Sequence, residues 1–204
     1  MKLVIIDYGM GNLKSLSGAL NYIGVQNIII TNDLDEINSA DKLILPGVGA
    51  FKLAMKNIKN LNLDKALKSN VIDKKKPLLG ICLGMQLLTN SSTEGGLSEG
   101  LQFVPGEVNQ FKSGELSVPH IGINQVNPFK GSKLYTSIPQ ELIDFYFVHS
   151  YKMTTNKYIQ QSNTHYISEF VSSFEKDNIV GVQYHPELSQ SNGLKVLSNF
   201  ISLF

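Results

Sequence analysis

One residue in this chain carries a thiol, and its neighbours are of the types that would expose it. Cys82 lies in "LLGICLGMQLL" (78–88), with Gly80 two residues before it and Gly84 two after. An apolar run of strand length leads in, and a helical pattern, "LGMQLLTN", leads out. Strand, G-x-C-x-G, helix is the thiol form of the nucleophile elbow. Its sharp turn strains the nucleophile's backbone, so the close neighbours have to be small. The helix that follows would direct N–H groups and its positive end at the sulfur, favouring thiolate. The N–H of Leu83 is aimed to act as one oxyanion-hole donor. The competing reading is an inert cysteine filling the core.

A thiol nucleophile needs a base. The histidines are His120, His149, His165 and His185, and only His185 follows a buried-looking strand and stands beside an acid, in "VGVQYHPELS". Pro186 restricts His185 to extended backbone and marks the strand's end. Glu187, two residues on in an extended segment, projects to the same side and can orient the ring. Taken alone, His-Pro-Glu also reads as a strand end with a surface acid. A third element, "LILPGVGAF" (43–51), ends a strand in Pro46, Gly47, Val48 and Gly49. A loop of so little bulk can bring a backbone N–H up to a substrate oxygen. An ordinary turn would also explain it.

These residues need a scaffold, and the first half of the chain supplies an alternating one. "KLVIID" (2–7), "NIIIT" (27–31), "KLILP" (42–46) and "PLLGIC" (77–82) are strand-like runs. Between them lie helical patterns, with Leu13, Leu16, Leu20 and Ile23 on one face, then 51–60 and 62–73. Strands that are apolar throughout, separated by helices, indicate an α/β fold with a mainly parallel central sheet and helices on both faces. The second half offers strand candidates with few helices: 101–104, 106–111, 120–126, 145–151, 165–171 and 179–184. They predict an antiparallel extension of that sheet, closed by a helix carrying Leu194, Leu197, Ile201 and Phe204. The polar stretch "NSSTEGGLSEG" (90–100) is a connector or a loop lining a site.

Length and composition bound the rest. At 204 residues with 42% hydrophobic content, a single domain over 1–204 is the expectation. No apolar run approaches the roughly 18 residues of a membrane helix, and "MKLVIIDYG" does not read as a signal peptide. A lone cysteine fits a reducing, cytoplasmic setting. A net charge of +1 implies no pull toward nucleic acid or anionic membrane. All the basic residues are lysine, so any anion site must use lysine or backbone N–H groups. "DYGMGN" lacks the third glycine of a dinucleotide fingerprint, so no such cofactor is expected. His120 has no metal-spaced cluster around it, and His165 has no supporting context. The expectation is neither cofactor nor metal.

Six stretches, "IIDYGMGNLKS" (5–15), "LPGVGAF" (45–51), "GICLGMQLL" (80–88), "VPHIG" (118–122), "YFVHSY" (146–151) and "GVQYHPELS" (181–189), span nearly the whole chain in one order. With them the sequence resembles the class I, triad-type glutamine amidotransferases, and among these the glutaminase subunits of imidazole glycerol phosphate synthase in histidine biosynthesis. The resemblance implies Cys82 as nucleophile, His185 as base and Glu187 as its orienter. It implies an oxyanion hole at Val48, Gly49 and Leu83, and glutamine contacts at Gln86, Glu94, His149 and Ser150. It implies hydrolysis of glutamine to glutamate and ammonia through a γ-glutamyl thioester, with no cofactor. A chain of this length leaves nothing to use the ammonia, so a (β/α)8 synthase subunit would accept it in a heterodimer. Asn12, His120, Ile123 and Leu188 are the implied partner-facing positions.

Two positions depart from the family pattern. Ile123 stands where a tryptophan is usual, and Leu188 where lysine or arginine is usual. Both bear on the partner and neither on the chemistry. The alternatives are a paralogous glutaminase subunit feeding a surface-sugar amidotransferase, a non-catalytic docking module, and a cysteine peptidase on a related scaffold. The intact Cys-His-Glu set argues against the module. The short His-Glu spacing, with Gln86 and Glu94, argues against the peptidase. Low basal activity without a partner is expected, because the hole depends on a glycine loop.

Overall fold

A computed structural model of the chain describes residues 1–112, 116–139, 143–155, 157 and 159–204. The first half alternates as its periodicity predicts: β1 (Leu3–Ile6), α1 (Leu13–Tyr22), β2 (Ile28–Thr31), α2 (Leu34–Ser39), β3 (Lys42–Leu45), α3 (Phe51–Asn60), α4 (Leu63–Leu67), β4 (Leu78–Ile81) and α5 (Leu83–Leu87). The pattern over 62–73 divides into α4 and a π-helical stretch, Lys68–Asp73. Helix α2 is a single short element that the apolar pattern does not announce. Asp33 caps it, accepting hydrogen bonds from the N–H groups of Asp35 and Glu36.

The second half contains β5 (Ser91–Ser92), β6 (Ser98–Glu99), β7 (Glu107–Gln110), β8 (His120–Gln125), β9 (Asp144–His149), β10 (Tyr151–Thr154), β11 (Gln160–His165), β12 (Glu169–Lys176), β13 (Ile179–Val182) and α6 (Gln190–Leu203). The main sheet has seven strands in the order β11-β12-β13-β4-β3-β1-β2. Strands β1, β3 and β4 are buried along their whole length, as strands covered on both faces have to be. One core packs α2, α3, α4 and α5 on one face of the sheet; the other packs α1, α6 and the β8–β9 ribbon on the opposite face.

The expected antiparallel extension is real but narrower than its strand candidates. Only β11 and β12 add to the sheet in that sense. Strand β13 re-enters parallel to β4, with Gly181 beside Gly80 and Val182 beside Ile81. The others form a four-stranded sheet, β10-β7-β5-β6, and the two-stranded β8-β9 ribbon. Residues 101–104 are not a strand. The N–H groups of Leu101, Phe103 and Val104 donate to Leu87 and Leu88 carbonyls at 2.7, 2.9 and 3.1 Å, covering the exposed end of α5 instead. Residues 165–171 hold the β11–β12 reversal, not one strand. In α6 the buried stripe is Gly193, Val196, Leu197 and Phe200, turned slightly from the expected one.

Candidate active site

Three adjacent parallel strands, β13, β4 and β3, end side by side, and each carries one expected element of the site just past its carboxyl end. Cys82 follows β4. Pro46 to Gly49 follow β3, and His185 lies three residues beyond β13. With strands about 4.8 Å apart, neighbouring ends bring such residues within reach of one substrate group.

The elbow is built by close approach. Cys82 has φ 53° and ψ −111°, a region costly for a residue with a Cβ, by about 1–3 kcal/mol. Its N–H donates to the Val182 carbonyl at 2.8 Å and its carbonyl accepts from Gln86 N–H at 3.2 Å, so strand and helix clamp it from both sides. A Cβ on Gly84 would lie 1.7 Å from the Leu45 carbonyl oxygen, and one on Gly80 would lie 2.8 Å from the Met85 Cα. The glycines bracketing the cysteine are therefore required by packing. Cys82 as a whole is 6% exposed.

His185 takes extended backbone, φ −98° and ψ 97°, as its following proline demands. Glu187 is not in an extended segment. Pro186–Leu188 form a 3-10 turn, and the turn brings the Glu187 Oε1 to 2.9 Å from His185 Nδ1. Both side chains are almost wholly buried. The other ring nitrogen, Nε2, makes no hydrogen bond of ordinary geometry, yet the Cys82 sulfur is near enough to act on it. Burial pulls the ring's pKa down, but the Cys82 sulfur and the Glu187 carboxylate outweigh it and raise the pKa to about 10. The ring is accordingly an imidazolium beside the sulfur at neutral pH.

The glycine loop is anchored at its start. Tyr8 donates its hydroxyl proton to the Pro46 carbonyl at 2.8 Å, and a Cβ on Gly47 would sit 2.2 Å from that hydroxyl oxygen. Further on the loop opens: Val48 is 42% exposed, and Gly49 has φ +102°. Glu94 reaches the loop's far end, its Oε2 accepting from the Phe51 N–H at 2.8 Å and so capping α3. A cavity of about 610 Å³ lies among these parts, lined by Val48, Gly49, Cys82, Leu83, His185 and the segment from Val148 to Tyr151. Gln86 and Glu94 line it too, so each residue expected to contact glutamine borders one cavity with the thiol.

The partner-facing set divides. Ile123 is 64% and Leu188 46% exposed, and both border a second cleft with Asp144 and Tyr146. Asn12 is half-buried ahead of α1. His120 is not at the surface: at 2% exposure its ring stacks on Phe147 and Tyr166, because alternate residues of β8 point inward. The outward places beside it belong to Ile121 and Ile123. Two residues escaped the sequence reading. Gln183 lies wholly buried with its Nε2 3.7 Å from the Cys82 sulfur. Gly193 lets α6 press on the His-Pro-Glu turn, where a Cβ would meet the Pro186 carbonyl oxygen at 1.8 Å. A polar residue directly after an apolar strand, beside the strand that carries the cysteine, was the available signal for Gln183. No cluster of three or more His, Cys, Asp or Glu side chains among the described residues could hold a metal ion.

A buried thiol on a strained elbow, an imidazolium beside it and a carboxylate behind the ring define a cysteine-nucleophile acyl-transfer site on a doubly wound sheet. The chain belongs to the class-I glutamine amidotransferase family, whose model matches residues 4–203. It is 47% identical to the imidazole glycerol phosphate synthase subunit HisH 1 of Campylobacter jejuni strain RM1221, over 98% of this chain and 100% of that protein. It is 46% identical to the HisH subunit of Aquifex aeolicus, over 98% of this chain and 96% of that one. Among solved structures, PurLQS from Thermotoga maritima matches with a TM-score of 0.68 at 16% identity, covering 98% of this chain and 97% of that one. A second, a glutamine amidotransferase, matches with a TM-score of 0.69 at 14% identity over 98% and 97% of the two chains. These structural likenesses concern the fold.

Proposed function

We propose that this chain, as one domain over 1–204, is the glutaminase subunit of an imidazole glycerol phosphate synthase, working in the cytoplasm on the histidine pathway. The observation that carries the chemistry is the Cys82–His185–Glu187 alignment at the ends of β4 and β13. Full-length similarity to HisH subunits supports the pathway.

The geometry supports an ordered sequence of steps. The Cys82 thiolate attacks the carboxamide carbon of glutamine, and the oxygen becomes an oxyanion. Leu83 N–H, first in α5, and an N–H of the Val48–Gly49 stretch are its donors. His185 gives its Nε2 proton to the departing nitrogen, the C–N bond breaks, and ammonia leaves. Glu187 stabilises the imidazolium before that transfer and fixes the ring throughout. Water then attacks the thioester, His185 takes its proton, and glutamate leaves as thiolate is restored. Gln86 and Glu94 border the amino-acid end of the cavity with His149 and Ser150. Ammonia passes to a (β/α)8 synthase subunit docked on the face bearing Asn12, Ile123 and Leu188.

Glutamate release from glutamine, measured with and without such a synthase subunit and its nucleotide ligand, tests this. Strong stimulation is the expected result. Low turnover throughout, with Cys82 still labelled by a glutamine-mimicking electrophile, would keep the glutaminase and move the partner to a surface-sugar synthase. No labelling at all would remove the reading.

A further inference from the structure

We infer that Gln183 is a further catalytic group, donating a hydrogen bond to the Cys82 sulfur, and that the Tyr151 carbonyl oxygen dictates its orientation through Gln86. The inference rests on Cys82 being the nucleophile.

The direction of the chain follows from one atom that can only accept, the backbone carbonyl oxygen of Tyr151. It receives Gln86 Nε2 at 2.9 Å and His149 Nδ1 at 2.8 Å. Because the Gln86 amide must turn its NH2 group to that carbonyl, its second N–H goes to Gln183 Oε1 at 2.9 Å. Gln183 must then present its own NH2 to the sulfur, at 3.7 Å. Reversing Gln183, which is wholly buried, would set NH2 against NH2 and a carbonyl oxygen against sulfur.

A second branch ends on the same oxygen. With Nδ1 of His149 protonated toward Tyr151, its Nε2 accepts from His120 Nδ1 at 3.1 Å. His120 Nε2 then accepts from Asn124 Nδ2 at 3.4 Å, and the other Asn124 N–H goes to the His165 carbonyl at 3.0 Å. Two adjoining imidazoles can do this only while neutral, and burial keeps them so: it lowers His120 to about 4 and His149 to about 3. Gln86, His120, His149 and Gln183 are all buried, so a donor lost from the set leaves its acceptor poorly satisfied.

A hydrogen bond to a charged group favours the charged form, so Gln183 promotes thiolate at rest and holds it for attack. The other titratable groups bearing on the sulfur and its partner ring are Tyr8, Glu187 and His149, with Glu94 across the cavity.

The test is the pH dependence of Cys82 alkylation by iodoacetamide on the whole chain, in the parent, Gln183→Leu, Gln183→Glu and Gln86→Leu. The midpoint is expected to rise by about one pH unit in Gln183→Leu, the scale of a charge-assisted hydrogen bond. It is expected to rise further in Gln183→Glu, which removes the donor and adds negative charge. Gln86→Leu removes the donor that fixes the Gln183 oxygen, and should move the midpoint the same way by a smaller step. Thermal melting checks that each variant is folded, and the near-isosteric Gln183→Glu serves if Gln183→Leu is not. Unmoved midpoints in folded Gln183 variants overturn the donor. A parental midpoint in folded Gln86→Leu overturns the orienting role of Gln86. A parent that is not alkylated at any pH instead removes the nucleophile itself.

Discussion

The elbow at Cys82 and the loop at Pro46–Gly49 are both glycine-rich turns after parallel strands, and they use glycine for opposite ends. At the elbow, Gly84 touches the Leu45 carbonyl so closely that no Cβ fits, and the turn is held by hydrogen bonds on both sides. At the loop, the first glycine is packed against Tyr8, but Gly49 is exposed and would bring a Cβ near only the flexible end of Met10, at 2.8 Å. Gly49 is needed for its backbone angle, φ +102°, not for space. The elbow that carries Cys82 is thus locked by packing, while the proposed oxyanion donor sits on an exposed segment. Under the proposed function, a docking partner would act on the second and not on the first.

The largest effects should fall on the locked side. Cys82→Ala and His185→Asn are expected to lower glutamine hydrolysis by at least ~1,000-fold, with the fold retained by circular dichroism. A substantial residual rate in either would remove the triad.

Gly84→Ala and Gly49→Ala sharpen the contrast directly. Gly84→Ala forces β3 and α5 apart and should cost about 3 kcal/mol or more, seen as a large fall in Tm. Gly49→Ala should cost only about 1 kcal/mol of stability, yet reduce kcat by about 100-fold through a misplaced donor. Equal losses of Tm in the two variants would erase the distinction between elbow and loop.

Gly193→Ala tests whether the His-Pro-Glu turn belongs with the locked part. Its Cβ would push on Pro186, shifting Glu187 from the ring. A roughly tenfold fall in kcat, with glutamine KM little changed, is the expected result.

The smallest effect concerns pH. The His185 pKa is raised in the folded chain, from 6.5 to about 10. Its pairing therefore stabilises the fold fully below pH 6.5, and this contribution is lost as pH rises through about 10. The Tm difference between the parent and Glu187→Gln should accordingly be largest near pH 6 and shrink toward pH 10. A difference that grows with pH would reverse the assignment of charge.

Legibility in the sequence tracked the range of the interactions. Strands β1, β3 and β4 and helices α1 and α3 read directly because each shows its buried pattern within a few residues. The stretch at 101–104 misread as a strand because its apolar residues serve the end of α5, a demand made by another segment. Residues 165–171 misread because the hydrophobic run spans a reversal. For the candidate site, local spacing singles out Cys82, His185 and Glu187, which the structure brings together. It does not single out Gln183, since that role comes from a neighbouring strand. His120 was placed at a surface that its register on β8 denies it.

Local chemistry alone determined that this chain carries an exposable thiol on a glycine-bracketed turn, a histidine with an acid at fixed spacing, and an alternating α/β first half. These follow from sterics and periodicity within one segment. Only the tertiary structure decided that β13 returns parallel to β4, which sets His185 and Gln183 beside the sulfur. Strand direction and neighbour are settled by which buried faces cover one another across the whole chain, and no single segment contains that information.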